Sequence, residues 1–472
     1  MELDPLVLSR IQFAFTISFH IIFPAFTIGL AAWLATLEAL ALATGHAVYR
    51  TLFAFWLKVF AVAFGMGVVS GIVMAFQFGT NWSELSHRMG PIQGPLLGYE
   101  VYTAFLLEGT FLGVVLFGRA RVAPWAYLAS CCMLALGTTL SAFWIMANNT
   151  WMQVPVGWEL NEGRYAPSDW RDILFSWVAW IRFFHMLLGA YLTTAFCIAA
   201  TGAWYMLRRV YRIEAHVMLT MGLGLAAVLA PAQIVFGHLN GESIAEYQPS
   251  KFTAVEGRWQ TEQPARLILL AWPDPANERN HWEIALPWLG SFVDTGSFTS
   301  EEPGIVTVPK DQRPPFLIPF YSFRIMVGLG LLMLALSWAG MWLRRRGWDR
   351  APRIFLWITF LSFPSGFVAV LTGWFTAEVG RQPWVVFGLL RTADAVTPTL
   401  TTGEALTSLV AFVAVYTLIF SAGTFYIYRL LHGGPAAEPP TPGRGATAFR
   451  PLSASGPAPS ADGRRRTTGA AE

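Results

Sequence analysis

The stretch WVAWIRFFHMLLGAYLTTAFCIAATGAWYML (177–207) decides the class of fold. It exceeds the roughly 20 apolar residues that a helix needs to cross the hydrocarbon core of a bilayer. Within it, Arg182 and His185 stand out as side chains that hydrocarbon would not accept alone. Eight more apolar runs lie near 11–42, 53–79, 94–118, 123–147, 216–239, 321–343, 353–375 and 404–431. A helix satisfies its backbone polar groups internally where no water is present. Nine such runs therefore predict an all-α integral membrane protein with about nine transmembrane helices. Three runs exceed a straight crossing, which tilt or extension beyond the bilayer absorbs. Only 13% of residues are charged, against roughly 25% in soluble domains. The net charge of +3 is near balance and implies no nucleic-acid partner.

Basic residues set the orientation. Arg50, then Arg119 and Arg121, then Arg208, Arg209 and Arg212, then Arg344 to Arg346, Arg350 and Arg353, and the tail from Arg429 all fall on one side. By the positive-inside rule that side is cytoplasmic. The N-terminus is then outside, the C-terminus inside, and the 240–320 connection extracytoplasmic. The chain divides into helices 1–6 (1–239), that connection (240–320), helices 7–9 (321–432) and a tail (433–472). The connection mixes acidic, basic, Trp and Pro residues without a clear helix or strand period, and a loop of that length is expected to be functional or disordered. The tail is rich in Gly, Pro, Ala and Ser and reads as disordered. Residues 1–10 are too short and acidic for the charged region of a cleaved signal, so the first run is expected to be retained. Cys131, Cys132 and Cys197 lack ligand spacing and read as small core residues.

Ionisable and soft-ligand side chains within or beside the apolar runs gather at one end of their helices. His20, Glu100, His185, Met326 and Glu378 can all meet in the outer half of the membrane. Any one of them also reads as an interfacial residue facing headgroup water, but an intramembrane ionisable group points first to a functional site. His with Met is the axial pair of a low-spin haem, and without a CxxCH motif any haem is held non-covalently. Arg182 and Arg324 are placed for haem propionates, or equally for lipid phosphate. Pro24 frees the His20 carbonyl and allows a bend there, although packing kinks are common. Glu100 and Glu108 lie about two turns apart on nearly the same face of the third helix, an arrangement for relaying protons. Thr138, Ser141 and Asn148 form a polar stripe on the fourth helix that extends the relay or serves helix packing.

These stretches carry a resemblance. They are FTISFHIIFP (15–24), GYEVYTAFLLEGTF (98–111), WMQVPVGWEL (151–160), RFFHMLLGAY (182–191), QPSKFTAVEGRW (248–259), YSFRIMVGLG (321–330) and AEVGRQPW (377–384). The chain resembles subunit I of the cytochrome bd-type quinol oxidases along its whole length up to the tail, with the short type of loop between helices six and seven. The resemblance implies an inner-membrane terminal oxidase of bacteria that takes electrons from quinol and reduces O2 to water. His185 and Met326 match the ligands of a low-spin haem b. His20 and Glu378 match ligands of two high-spin haems, a haem b and a haem d chlorin or a haem b in its place. Arg182, Arg324 and Arg381 are counted with the haem-binding set. Glu100 matches an acid at the oxygen-reducing site, Glu108 a carboxylate on the proton route, and Lys251 and Glu256 the quinol-oxidising segment. Without the resemblance, those last two would read as a solvated ion pair. A second membrane subunit (subunit II) and a small single-span subunit are implied as partners.

A cofactor-free proton-coupled transporter is the rival class. It would show inverted repeats and matching broken helices, and neither is evident in the sequence. A haem-free scaffold subunit is opposed by the presence of every ligand position.

Overall fold

Local signals delimit the first helix. The Asp4 carboxylate accepts the Val7 backbone N–H at 2.7 Å, Pro5 opens the first turn, and Gly45 closes the helix at φ 71°, a conformation glycine adopts without a Cβ penalty. In the computed structural model, which describes residues 4–435, α1 (Pro5–Thr44) is followed by α2 (Ala47–Thr80), α3 (Ser83–Phe117), α4 (Pro124–Gln153), α5 (Trp170–Arg208) and α6 (Arg212–Tyr247). Later come α7 (Pro249–Glu256), α8 (Leu289–Thr295), α9 (Leu317–Arg344), α10 (Arg353–Gly380) and α11 (Thr402–Gly433). Among the described residues, nine of these are long and apolar enough to cross a membrane. α7 and α8 are short and lie in the connection between α6 and α9. From residue 436 onward the expected tail lies outside the described residues.

The span boundaries move outward from the apolar runs. α1, α3 and α5 begin at Pro5, Ser83 and Trp170 rather than near 11, 94 and 177, because polar first turns hide a helix start from a hydropathy reading. Glu378 falls inside the last turn of α10 instead of just beyond the span. α1 stays helical through Pro24.

Small residues let α5 act as the central pillar. A Cβ at Gly29 would lie 2.4 Å from Thr194 Oγ1, one at Gly366 2.5 Å from Thr193 Oγ1, and one at Gly222 2.7 Å from the Ala195 carbonyl. Close backbone approach of this kind drives helix association where lipid removes the hydrophobic effect. In its most apolar window α5 is 61% buried, whereas α3 and α11 are 17% and 11% buried. Cys131 and Cys197 are core residues as expected, but Cys132 is exposed, because the neighbouring position points off the buried face of α4.

The 240–320 connection is more ordered than its composition suggests. α6 runs on to Tyr247, α7 follows, and an antiparallel hairpin pairs β1 (Leu267–Asp274) with β2 (Arg279–Leu286). Register shifts around Leu270 break the strict alternation that a sequence reading relies on. Trp259 stacks on Phe316 at 3.8 Å between centroids and, with Ala254, Ile268, Ile305 and Phe320, forms a separate small core. A second cap packs Trp82, Met89, Trp151, Val386 and Leu390 together.

Candidate functional site

The last two turns of α4 present Asn149, Thr150 and Gln153 to three neighbouring elements. Glu378 of α10 accepts hydrogen bonds on Oε1 from Asn149 Nδ2 and Gln153 Nε2, each at 2.9 Å, and its Oε2 pairs with Arg381. Arg182 of α5 donates from Nε to Thr150 Oγ1 at 3.0 Å and from Nη2 to Asn149 Oδ1. Lys251 of α7 donates to the side-chain carbonyls of Gln153 and Gln248, while Gln248 Nε2 donates to the Gln153 carbonyl at 2.9 Å. Arg182, Lys251, Glu378 and Arg381 thus share one hydrogen-bonded network.

Three cationic side chains converge on one carboxylate in this network. Lys251 is fully buried, with its stem against Gly380. Desolvation, followed by repulsion from Arg182 and Arg381, pushes its pKa well below the ordinary ammonium value, and Glu378 pulls it back. Arg381 keeps two donors, Nε and Nη1, buried without a partner. Buried donors in native proteins are nearly always paired, so these two mark a place for an acceptor.

Two further candidate ligands sit on α5 itself and on α9. His185 Nδ1 is buried without a partner, Nε2 lies 3.4 Å from Gln233 Nε2, and the ring rests against Gly237 of α6. Met326 of α9 directs its sulfur at Gly373 of α10, where a Cβ would come within 2.9 Å. α6 packs against α5 and α9, and α10 packs against the same two helices. His20 stands apart, between α1 and α2. Its Nδ1 meets Ser70 Oγ at 3.0 Å, and its ring faces Gly71. Fixing one imidazole nitrogen by a hydrogen bond orients the other toward a metal.

Glu100 and Glu108 both face α4. Ser141 Oγ donates to Glu100 Oε1 at 2.9 Å, and Glu108, buried, packs against Gly137 one turn along. Glu100 opens a π-helical turn, Glu100–Phe105, of the kind often found at functional positions. Of the expected polar stripe, Ser141 joins the acids, Thr138 bonds its own helix at Ala135, and Asn148 Oδ1 is buried without a partner.

Glu256 and Lys251 are both buried and do not pair with each other. Glu256 lies 4.0 Å from Arg258, and desolvation followed by the nearby Asp294 carboxylate raises its pKa to about 7. The Arg324 guanidinium lies over the Phe320 ring and directs its Nη groups at the carbonyls of Val255, Glu256, Ile268 and Phe320. Its role in this structure is to tie the connection to α9, and Nε alone is left unpartnered. Asn149, Gln153 and Gln248 escaped the sequence reading because carboxamides are not conspicuous; the only signal was that Gln153 and Gln248 fall in two of the quoted stretches.

Comparison with known proteins identifies the family. Residues 8–435 match the family model for cytochrome bd terminal oxidase subunit I. The chain is 35% identical to cytochrome bd ubiquinol oxidase subunit 1 of Bacillus subtilis, covering 92% of this chain and 94% of that one. It is 32% identical to cytochrome bd-II ubiquinol oxidase subunit 1 of Escherichia coli, covering 94% and 100%. The bd oxidase structure from Geobacillus thermodenitrificans superposes with a TM-score of 0.84 at 28% identity, over 92% of this chain and 99% of that one. The chain belongs to the cytochrome bd terminal oxidase subunit I family and is a haem-dependent, multi-pass subunit of a quinol-oxidising complex in the bacterial inner membrane.

Proposed function

We propose that this subunit oxidises quinol at its extracytoplasmic segment and reduces O2 to water with protons drawn from the cytoplasm. The observation that carries the reading is the surplus of buried cations around Glu378. Haem propionates are anions of the kind that such a surplus, with two idle Arg381 donors, would accept. His185 and Met326 hold a low-spin haem b. His20 and Glu378 hold two high-spin haems, one a haem b and the other a haem d or a haem b in its place. Arg182 and Arg381, with the remaining nitrogen of Arg324, meet the propionates. When bound, these haems supply electron transfer and the iron that takes up oxygen.

The residues of the chain supply the rest. Glu256 accepts a proton from quinol and Lys251 orients its headgroup, while the seal around Lys251 keeps water from the network beneath. Glu108 passes protons to Glu100, with Ser141 holding Glu100 against α4. A second membrane subunit, and a small single-span one, complete the complex and cover the spans that are least buried here.

Met326→Leu tests the assignment. The volume is conserved and the soft ligand lost, so the fold is expected to survive, while the reduced-minus-oxidised spectrum loses low-spin haem b amplitude and the haem potential falls. An unchanged spectrum and potential would remove Met326 as a ligand.

A further inference from the structure

Arg258 follows α7 with its side chain wholly shielded from solvent, and three carboxylates from separate segments face it. Asp294 of α8 pairs with Nη2 at 2.6 Å, Glu302 Oε2 lies 3.7 Å from Nη1, and Glu256 Oε2 lies 4.0 Å from Nη2. The other charged groups nearby are already engaged. Arg324 of α9 holds backbone carbonyls, Glu262 is paired with Arg266, and His238 of α6, which interacts electrostatically with Asp294, is paired with Glu242.

One guanidinium cannot balance three carboxylates in a dry site, even with Arg324 counted, because an uncompensated buried charge is strongly unfavourable. The cluster therefore retains at least one proton. Burial is the leading cause that raises the pKa of Glu256, Asp294 and Glu302 alike. Arg258 also keeps Nε and Nη1 buried without hydrogen-bond partners, which leaves donors for a water that would bridge Glu256 and Glu302. From Glu302 a path runs outward. Ser300 Oγ donates to Glu302 Oε1 at 3.0 Å and lies 2.7 Å from Thr295 Oγ1, at the exposed end of α8. Hydroxyls that can reverse their donor and acceptor roles conduct protons.

We propose that the Arg258 cluster is the proton exit of the quinol-oxidising segment, passing protons from Glu256 to Glu302 and out through Ser300 and Thr295. The inference rests on the reading of Glu256 given above. The quinol O–H breaks as the Glu256 O–H forms, and the quinol's electrons leave through its established oxidation. The Glu256 O–H then breaks as its proton displaces the resident one from Glu302, which departs along the two hydroxyls. Asp294 stays ionised on Nη2 and positions the guanidinium.

The test uses the assembled holoenzyme. In Glu302→Gln, kcat with quinol is expected to fall between about tenfold and a hundredfold with KM unchanged, and the pH profile to flatten. Turnover with tetramethyl-phenylenediamine, which gives up an electron without a proton, should stay at the wild-type rate. Glu302→Asp should recover quinol turnover, and Ser300→Ala should slow it less than Glu302→Gln does. Wild-type quinol turnover and pH profile in Glu302→Gln would overturn the exit. If Glu302→Gln is slow with both donors, Ser300→Ala decides, because a wild-type pH profile there overturns the proposal and a shifted one supports it. Glu256→Gln separates the two readings. Wild-type quinol turnover in that variant removes Glu256 as acceptor and the exit with it, whereas loss there beside wild-type Glu302→Gln and Ser300→Ala removes the exit alone.

Discussion

Gln153 joins three elements through one side chain and its own carbonyl. Its Nε2 donates to Glu378, its Oε1 accepts from Lys251, and its carbonyl accepts from Gln248. Gln153→Leu keeps the bulk but leaves a buried ammonium with one carboxamide acceptor in place of two, and removes a donor from Glu378. An unmade hydrogen bond to a buried polar group costs about 1–3 kcal/mol. The variant is therefore expected to melt at a lower temperature and to lose more quinol turnover than haem. A melting temperature and turnover matching wild type would show that the network does not depend on Gln153. Arg182 and Glu378 were legible in the sequence because an ionisable residue inside or beside an apolar run is conspicuous, whereas Lys251 and Arg381 stood out only through the family resemblance. Gln153 and Asn149 were not, since their importance depends on which helix ends abut.

Helices were legible as elements because apolar runs of bilayer length have few other solutions. The π turn at Glu100 was hidden, since EVYTAF reads as ordinary helix and nothing in its composition marks a wider turn. The hairpin β1–β2 was hidden by its register shifts. The connection that contains it should respond to pH through its buried acids. The Glu256 pKa rises on folding from 4.5 to about 7, and those of Asp294 and Glu302 also rise. Through these acids the folded state binds more protons than the unfolded one between about pH 4.5 and 7, so their contribution to stability falls as pH rises through that window, while Lys251, whose pKa is lowered by burial, acts in the opposite sense. Asp274 does not confuse this, because its pKa is lowered to about 2 by Asn277 and His281 and its contribution is lost only in stronger acid. Limited proteolysis of the segment should accelerate from pH 5 to pH 8, and Glu256→Gln should flatten that rise. A rise of equal size in the variant would assign it elsewhere.

Burial is unequal across the molecule: α5 is a pillar, while α3, with both acids of the proposed relay, and α11 are mostly uncovered. Family membership in a multi-subunit complex accounts for uncovered spans better than lipid alone does for α3, where Glu100 is only partly buried. The His20, His185, Met326 and Glu378 positions and the 240–320 connection all lie toward the helix ends away from the Arg-rich loops. On the proposed reading, protons drawn from the Arg-rich side cross most of the bilayer to meet oxygen, while quinol protons leave on the near side. Moving one charge across the membrane is worth about 2.3 kcal/mol per 100 mV, so turnover should charge the membrane without a pumping element. Complex reconstituted into vesicles, with quinol supplied to the segment's side, is expected to build a potential, positive on that side, that a protonophore abolishes. Glu108→Gln should slow both oxygen uptake and the growth of that potential in the same proportion, because each proton consumed is one charge moved. Turnover at full rate with no potential would mean that the oxygen chemistry takes its protons from the quinol side, and would reverse the assignment of Glu108 to the uptake route.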